Sequence, residues 1–341
     1  MPPKINVENT LIGRGAYGVV YKIMLGGAPY ALKKARENPQ NPEHGESELK
    51  QEVDILPRLD HENIIKSFPD LAQIYQADLG PGISLVLEYM DSSSLADLLC
   101  SGIENQKTVL ELARYIAAGM EYLSGERILH RDIKPGNVFR SSHAPPKLGD
   151  FATAVYLPQK TDIYTNPEEG TVGTLLYLAP ECSPQGKDSG EYSRASEVFA
   201  LGILLLDMAF SHSSEAPLLM EPFAWLYRSV AEGFRPPLPT DKVFLNNIIQ
   251  KAWAQDPQAR PNITEIKNSL DELLKEENAR LTLKSPDSGI VSLSPPLLTE
   301  SASQLQLINT PSPHDSFGAF IFQKAPESQP SDDCISSASA G

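Results

Sequence analysis

The sequence predicts an α+β chain of two lobes followed by an unstructured tail. Three observations carry this. Apolar residues alternate in strand-like fashion up to about Tyr89, they recur at helical spacing from about Ser94 to Ala279, and the pattern stops near Arg280. The chain has 341 residues, of which 41% are apolar, enough for one two-lobed domain with a sizeable core plus a tail. The expected division is 1–280 for the domain, with the small lobe over about 1–88 and the large lobe over about 92–280, and 281–341 for the tail.

The elements follow in order. Alternation over Ile5–Ile12 and Val19–Met24, with glycines between, predicts a hairpin, and Pro29–Lys33 a third strand. Glu37–Gly45 reads as a loop. Leu49, Val53 and Leu56 share one face of a helix from about Ser47 to Leu59, and Ile83–Tyr89 is an apolar strand. Val109–Leu123 is a long amphipathic helix and Ser196–Met208 a nearly all-apolar one. Val243–Ala254 and Thr264–Ala279 close the domain. From Leu281 to Gly341 Ser and Pro are dense and periodicity is lost, the composition of a disordered segment.

Composition narrows the function. A net charge of −15 disfavours non-specific binding to nucleic acid or anionic lipid. The three cysteines, Cys100, Cys182 and Cys334, are far apart and form no C-x-x-C pair, so a disulfide framework or zinc site is not expected and a reducing compartment is. Met1–Glu8 lacks the apolar run of a signal peptide, and the longest apolar stretch, Phe199–Phe210, is too short to span a bilayer. A cytoplasmic protein is expected.

Gly13, Gly15 and Gly18 stand in a G-x-G-x-x-G-x-V pattern between two strands. Glycines there let the backbone approach phosphates closely, although a tight hairpin alone would also use them. Lys33 ends Tyr30-Ala31-Leu32-Lys33 on a strand, where a buried ammonium needs a partner, and Glu52 lies on the following helix. His61-Glu62-Asn63-Ile64-Ile65 comes next. The strongest signal is His130-Arg131-Asp132-Ile133-Lys134-Pro135-Gly136-Asn137, followed by Gly149-Asp150-Phe151, Thr174–Tyr177 and Ala179-Pro180-Glu181.

In this order and spacing the motifs resemble those of the eukaryotic-type protein kinases, over about Val7–Ala279. The resemblance implies a bilobal kinase fold, a β-rich N-lobe carrying a C-helix and a larger helical C-lobe. It implies ATP and Mg²⁺. Asp132 would accept or orient the proton of the substrate hydroxyl, and Lys134 would neutralise the γ-phosphate. Lys33, held by Glu52, would bind the α- and β-phosphates, and Asn137 and Asp150 would hold the metal ions. Val20 and Ala31 would pack on adenine, Glu88 to Met90 would be the hinge that hydrogen-bonds it, and Leu87 the gatekeeper. Leu56, His130 and Phe151 resemble the hydrophobic column between the lobes, and Arg260 the partner of Glu181.

Lys134 and Gly173-Thr174 resemble the serine/threonine version of the site. Gly233-Phe234-Arg235-Pro236-Pro237-Leu238-Pro239 loosely resembles the tyrosine-kinase-like and mixed-lineage groups. Gly136 and Ser94 stand where arginine-directed kinases often carry acidic residues, so no preference for basic targets is expected.

Two departures leave an alternative open. Ala152 replaces the glycine of D-F-G and should restrict the Asp–Phe flip, and Glu197 replaces an aspartate that supports the catalytic loop, which predicts looser support and reduced turnover. The alternative is a pseudokinase scaffold that binds nucleotide and partners. In the family the arginine before the catalytic aspartate often pairs with an activation-segment phosphate. Thr161, Tyr164, Thr165 and Thr171 are available here, while Glu168 and Glu169 read either as a solvated acidic loop or as stand-ins for the phosphate. With the domain expected to begin almost at Met1, regulation is expected from the activation segment, the tail or a partner.

In the tail, Asp287-Ser288-Gly289-Ile290-Val291-Ser292 resembles the phosphodegron read by a ubiquitin ligase in inhibitors of NF-kappa-B. A chance match in a Ser-rich segment is the alternative. A compact kinase with such a tail also suits a bacterial effector acting in a host cytosol.

Overall fold

The structure is a computed structural model that describes residues 10–14, 18–35, 42–79, 82–182, 190–212, 232–233, 235–240 and 243–283. Gly15, Cys334, the serine/proline tail beyond Leu283 and the Asp287–Ser292 motif lie outside the described residues.

The N-lobe is built on an antiparallel sheet in the order β1 (Thr10–Arg14), β2 (Gly18–Leu25), β3 (Ala28–Ala35), β4 (Ser84–Glu88). Its register pairs Val20 with Lys33, Ala31 with Leu87 and Lys33 with Leu85, which puts these residues on one face, while Leu32 pairs with Val86 on the other. Helix α1 (Pro42–Ile55) lies against the first face, where Leu49, Leu56, Ala31, Leu85 and Leu87 are buried together. This helix begins within the predicted loop, and Pro42 suits a first turn.

The second face is covered by the segment that follows Ile65. After His61–Ile65 there is no full strand: the chain makes an isolated bridge, Ser67 to Leu87, then turns into α2 (Pro69–Ile74) and α3 (Gln76–Leu79). Pro69 and Asp70 in the first turn favour the helix start. Tyr75 and Leu79 pack on Ile23, Leu25, Leu32 and Val86, with Phe68 and Leu71 at the margin. The inner strands of the sheet thus carry apolar cover on both faces, while β1 stays largely exposed.

The C-lobe is helical. Helix α4 (Leu95–Ser101) starts at a capping box in which Ser94 and Asp97 satisfy each other's amides, so Ser94 serves the helix start. Helices α5 (Gln106–Gly125), α6 (Arg194–His212), α7 (Asn246–Ala252) and α8 (Ile263–Leu283) form the body. Leu201, Leu204, Leu205 and Met208 bury α6 in its centre, and Arg114 of α5 pairs with Asp271 of α8 at 2.7 Å. Asn262 and Glu265 exchange side-chain and backbone bonds at the start of α8. That helix runs to Leu283, past the composition shift at Arg280. No helix among the described residues is long and apolar enough to cross a membrane.

Two-residue strands carry the loops between α5 and α6: β5 (Ile128–Leu129) pairs with β8 (Val155–Tyr156), β6 (Val138–Phe139) with β7 (Lys147–Leu148), and β9 (Ile163–Tyr164) with β10 (Tyr192–Ser193).

Candidate active site

The polar residues converge where the two lobes meet. Lys33 Nζ lies 2.6 Å from Glu52 Oε2 and 2.6 Å from Asp150 Oδ1, three side chains from β3, α1 and the segment after β7. Lys33 and Glu52 are buried. Burial works against the Lys33 ammonium, but Asp150 and Glu52 outweigh it and hold its pKa above the usual lysine value. Burial raises Glu52, opposed by Lys33, whereas Lys33 holds Asp150 below the ordinary carboxylate range despite burial. The other oxygen of Glu52 accepts the Phe151 amide at 3.1 Å, so one carboxylate fixes both the lysine and the backbone after Asp150.

The second cluster surrounds Asp132. Its Oδ1 accepts the Thr174 hydroxyl at 2.7 Å. Its Oδ2 lies 2.7 Å from Lys134 Nζ and 2.9 Å from Asn137 Nδ2, which also bonds the Asp132 carbonyl at 2.8 Å. Lys134 Nζ donates to Thr174 Oγ1 at 2.8 Å, closing the group. Because the Asn137 amide nitrogen is committed to Asp132, its carbonyl oxygen remains as an acceptor. Asn137 and Asp150 thus offer hard oxygen donors, the type Mg²⁺ prefers. Among the described residues no group of three or more acidic, His or Cys side chains forms a metal cage. Two protein oxygens do not complete the six-ligand shell of Mg²⁺, so an ion held here would take its remaining ligands from water or a phosphate chain.

Backbone and core hold this cluster in place. Glu197, at the start of α6, accepts from the His130 amide at 3.0 Å and the Arg131 amide at 2.8 Å. Both oxygens are engaged, so the extra methylene does not leave the loop unheld; burial raises the Glu197 pKa, and His130 and Arg131 oppose the rise. Arg131 and Asp150 adopt φ of 64° and 63°, and Ala152, absent from the positive-φ positions, is buried with its methyl group accommodated. His130 and Phe151 are fully buried with ring centroids 4.8 Å apart, near the buried Leu56. Arg260 meets Glu181 at 2.6 and 2.9 Å.

On the nucleotide side, Val20 and Ala31 flank the cleft face of the sheet. Gly13 pairs with Val20. At Gly18 a Cβ would sit 2.8 Å from the Lys34 carbonyl, so that position tolerates no side chain. The Glu88 amide donates to the Lys66 carbonyl at 2.9 Å and its carboxylate meets Lys147 at 2.8 Å. Met90 packs against the main core.

Several participants have weak sequence signals. Thr174 stands out only as part of a motif, yet it contacts both Asp132 and Lys134. Tyr177 donates to Asp207 Oδ2 at 2.6 Å from a position thirty residues earlier. Burial raises Asp207 to about 7, and its Oδ1 has no hydrogen-bond partner among the described residues.

Comparison with known proteins agrees with the geometry. Residues 7–270 match the protein kinase domain family. The chain is 31% identical over 266 residues to a probable serine/threonine-protein kinase of Dictyostelium discoideum, covering 77% of this chain and 27% of that protein. It is 29% identical over 293 residues to the dual specificity protein kinase shkE of the same organism (81% and 38%), and 30% identical over 234 residues to mitogen-activated protein kinase kinase 7 of Arabidopsis thaliana (67% and 72%). The chain spans less than half the length of the first two. Its ordered cleft, its sequence motifs and its match over most of its length together place this chain in the protein kinase family.

Proposed function

We propose that the chain is a protein serine/threonine kinase that transfers the γ-phosphoryl group of ATP to a protein hydroxyl. The observation that carries the reading is the Asp132 carboxylate, held by Asn137 and Lys134 and hydrogen-bonded to a hydroxyl, that of Thr174. A substrate hydroxyl beside it would find a base for its proton and an ammonium for the phosphoryl charge. Lys33 would hold the α- and β-phosphates, with Glu52 fixing its position, and Gly13, Gly15 and Gly18, which carry no Cβ, would let the backbone come close to them. Val20 and Ala31 would pack on adenine. With its amide engaged, Glu88 would offer adenine its carbonyl, and Met90 its backbone. Mg²⁺, when bound with the nucleotide, would neutralise phosphate charge; Asn137 and Asp150 would hold it.

The pseudokinase alternative is not favoured, since Lys33, Asp132, Asn137 and Asp150 are all present and engaged. The test is transfer of labelled phosphate from ATP to a mixed protein substrate with Mg²⁺, followed by analysis of the modified amino acid. Label on serine and threonine that disappears with Asp132→Asn is expected; no transfer, or label on tyrosine alone, rejects the reading.

We infer action in a cytosol, the cell's own or a host's; the wide spacing of Cys100, Cys182 and Cys334, which suits thiols in a reducing compartment, supports it. For the tail we infer a ubiquitin ligase as partner, recruited when Ser288 and Ser292 are phosphorylated; the spacing of the two serines and the apolar Ile290 support it. Wild type and the Ser288→Ala/Ser292→Ala variant should differ in half-life in animal cells. Equal half-lives with no phosphate-dependent ligase capture would reject it.

A further inference from the structure

The Arg131 side chain is 2% exposed, a guanidinium taken almost wholly out of water next to Asp132. A buried cation is costly unless an anion and hydrogen-bond acceptors face it. Here the Thr153 carbonyl accepts its Nε at 2.6 Å, and the rings of Tyr164 and Tyr192 lie 4.9 and 5.3 Å from its Cζ. The charge is met by Glu169, whose Oε2 is 2.6 Å from Arg131 Nη1. The other oxygen of Glu169 accepts the Tyr164 hydroxyl at 3.0 Å, and the Glu169 amide closes a turn onto the Asn166 carbonyl. Both carboxylate oxygens and the backbone of Glu169 are therefore committed.

This contact is connected to the reacting group. Gly173, at φ 105°, passes so close to the Arg131 carbonyl that a Cβ would lie 2.4 Å from that oxygen. The next residue is Thr174, on Asp132 and Lys134. Tyr192 braces the stretch between by bonding the amide and carbonyl of Val172 at 2.7 and 2.8 Å. Glu169 thus anchors one end of a six-residue path, Glu169–Thr174, whose other end touches the catalytic carboxylate.

We propose that Glu169 is a positioning residue: its carboxylate, fixed in the sequence, holds the 163–174 segment on Arg131, so that phosphotransfer needs no phosphate added to that segment. The inference rests on the kinase reading and adds the regulation of its site. Without the Glu169 charge, Arg131 keeps its burial and loses its anion. The segment then lifts and Thr174 leaves Asp132. The loss falls on turnover, because Lys33, Glu52 and the nucleotide side are untouched.

The test uses the full chain treated with phosphatase and shown by intact mass to carry no phosphate. Phosphate-free wild type should retain kcat within about twofold of the untreated protein, whereas phosphate-free Glu169→Gln should lose about tenfold or more in kcat with the KM for ATP within about twofold. Glu169→Asp, which keeps the charge, should recover some of that loss, and a Thr161→Ala/Thr165→Ala/Thr171→Ala variant should stay active. Loss of activity on dephosphorylating wild type, or wild-type kcat in Glu169→Gln, overturns the proposal. Should Glu169→Gln fail to fold, the phosphatase arm decides alone. A wild type inactive in every phosphorylation state overturns the kinase reading, and this inference with it.

Discussion

The N-lobe and C-lobe halves of the site are held by different means. Lys33 reaches its place through two side-chain ion pairs, to a carboxylate on α1 and to one beyond β7. Asp132 sits in a loop whose His130 and Arg131 amides are held by Glu197, in which Arg131 adopts φ 64° and His130 is fully buried. The first half joins side chains of separate elements, and α1 is itself anchored in the core by Leu49 and Ile55. The second is continuous with the core around α6. The difference teaches that the Lys33 half depends on ion pairs between separate elements, whereas the Asp132 half depends on its own backbone and the adjoining core.

The largest effects should come from removing the central group of each half. Asp132→Asn and Lys33→Met should each lower phosphotransfer by ~100-fold or more while the protein stays folded, as when a general base or a charge clamp is lost. Near-normal turnover in Asp132→Asn would remove the catalytic assignment. The two should separate by nucleotide affinity: Lys33→Met should weaken ATP binding, read by calorimetry, and Asp132→Asn should leave it nearly unchanged.

Glu197→Gln tests the hold on the second half. One of its two acceptors becomes an NH₂ facing an amide, so both turnover and stability should fall, stability by about 1–3 kcal/mol. Denaturant unfolding and steady-state kinetics would show it; a loss of turnover with unchanged stability would mean that the catalytic loop is not continuous with the core. A smaller effect is expected for Ala152→Gly. It restores backbone freedom without touching a ligand, so activity should stay within about tenfold, with energies shifting by ~1 kcal/mol or less. Abolished activity would reveal a packing role for that methyl group.

An effect on stability alone is a pH dependence at Asp207. Its pKa is raised by burial from 3.8 to about 7, so between those values the folded state holds a proton that the unfolded chain has released. This contribution to stability is fully present below about pH 4 and is lost as pH rises through about 7. Relative to Asp207→Asn, wild-type stability should decline across that window by at most about 1.4 kcal/mol per pH unit. Denaturant midpoints at several pH values would show the slope, and a flat difference would mean Asp207 titrates elsewhere.

The features legible in the sequence are those fixed by local rules. Glycine at a close approach, a lysine that needs a carboxylate, capping residues before apolar runs and the all-apolar α6 each leave a mark within a few residues. The helices α2 and α3 leave one too: Leu71, Ile74, Tyr75 and Leu79 recur at helical spacing, but over so short a stretch that strand and helix are hard to tell apart. The start of α1 is hidden because Pro, Asn and Glu suit a first turn as well as a loop. What sequence does not decide is pairing at a distance. Glu169 is as plausible in water as on Arg131, thirty-eight residues away, and only folding chooses between them. Tyr177 and Asp207 give no sign of each other for the same reason.

The cover that α2 and α3 place on the sheet has a consequence for how the cleft opens. With α1 on one side and Tyr75 and Leu79 on the other, β2 and β3 carry apolar contacts on both faces. Flexing the sheet would pull both of its apolar layers away from their partners at once. On the kinase reading, any opening of the cleft is therefore expected to fall on the short link after Glu88 rather than on the sheet.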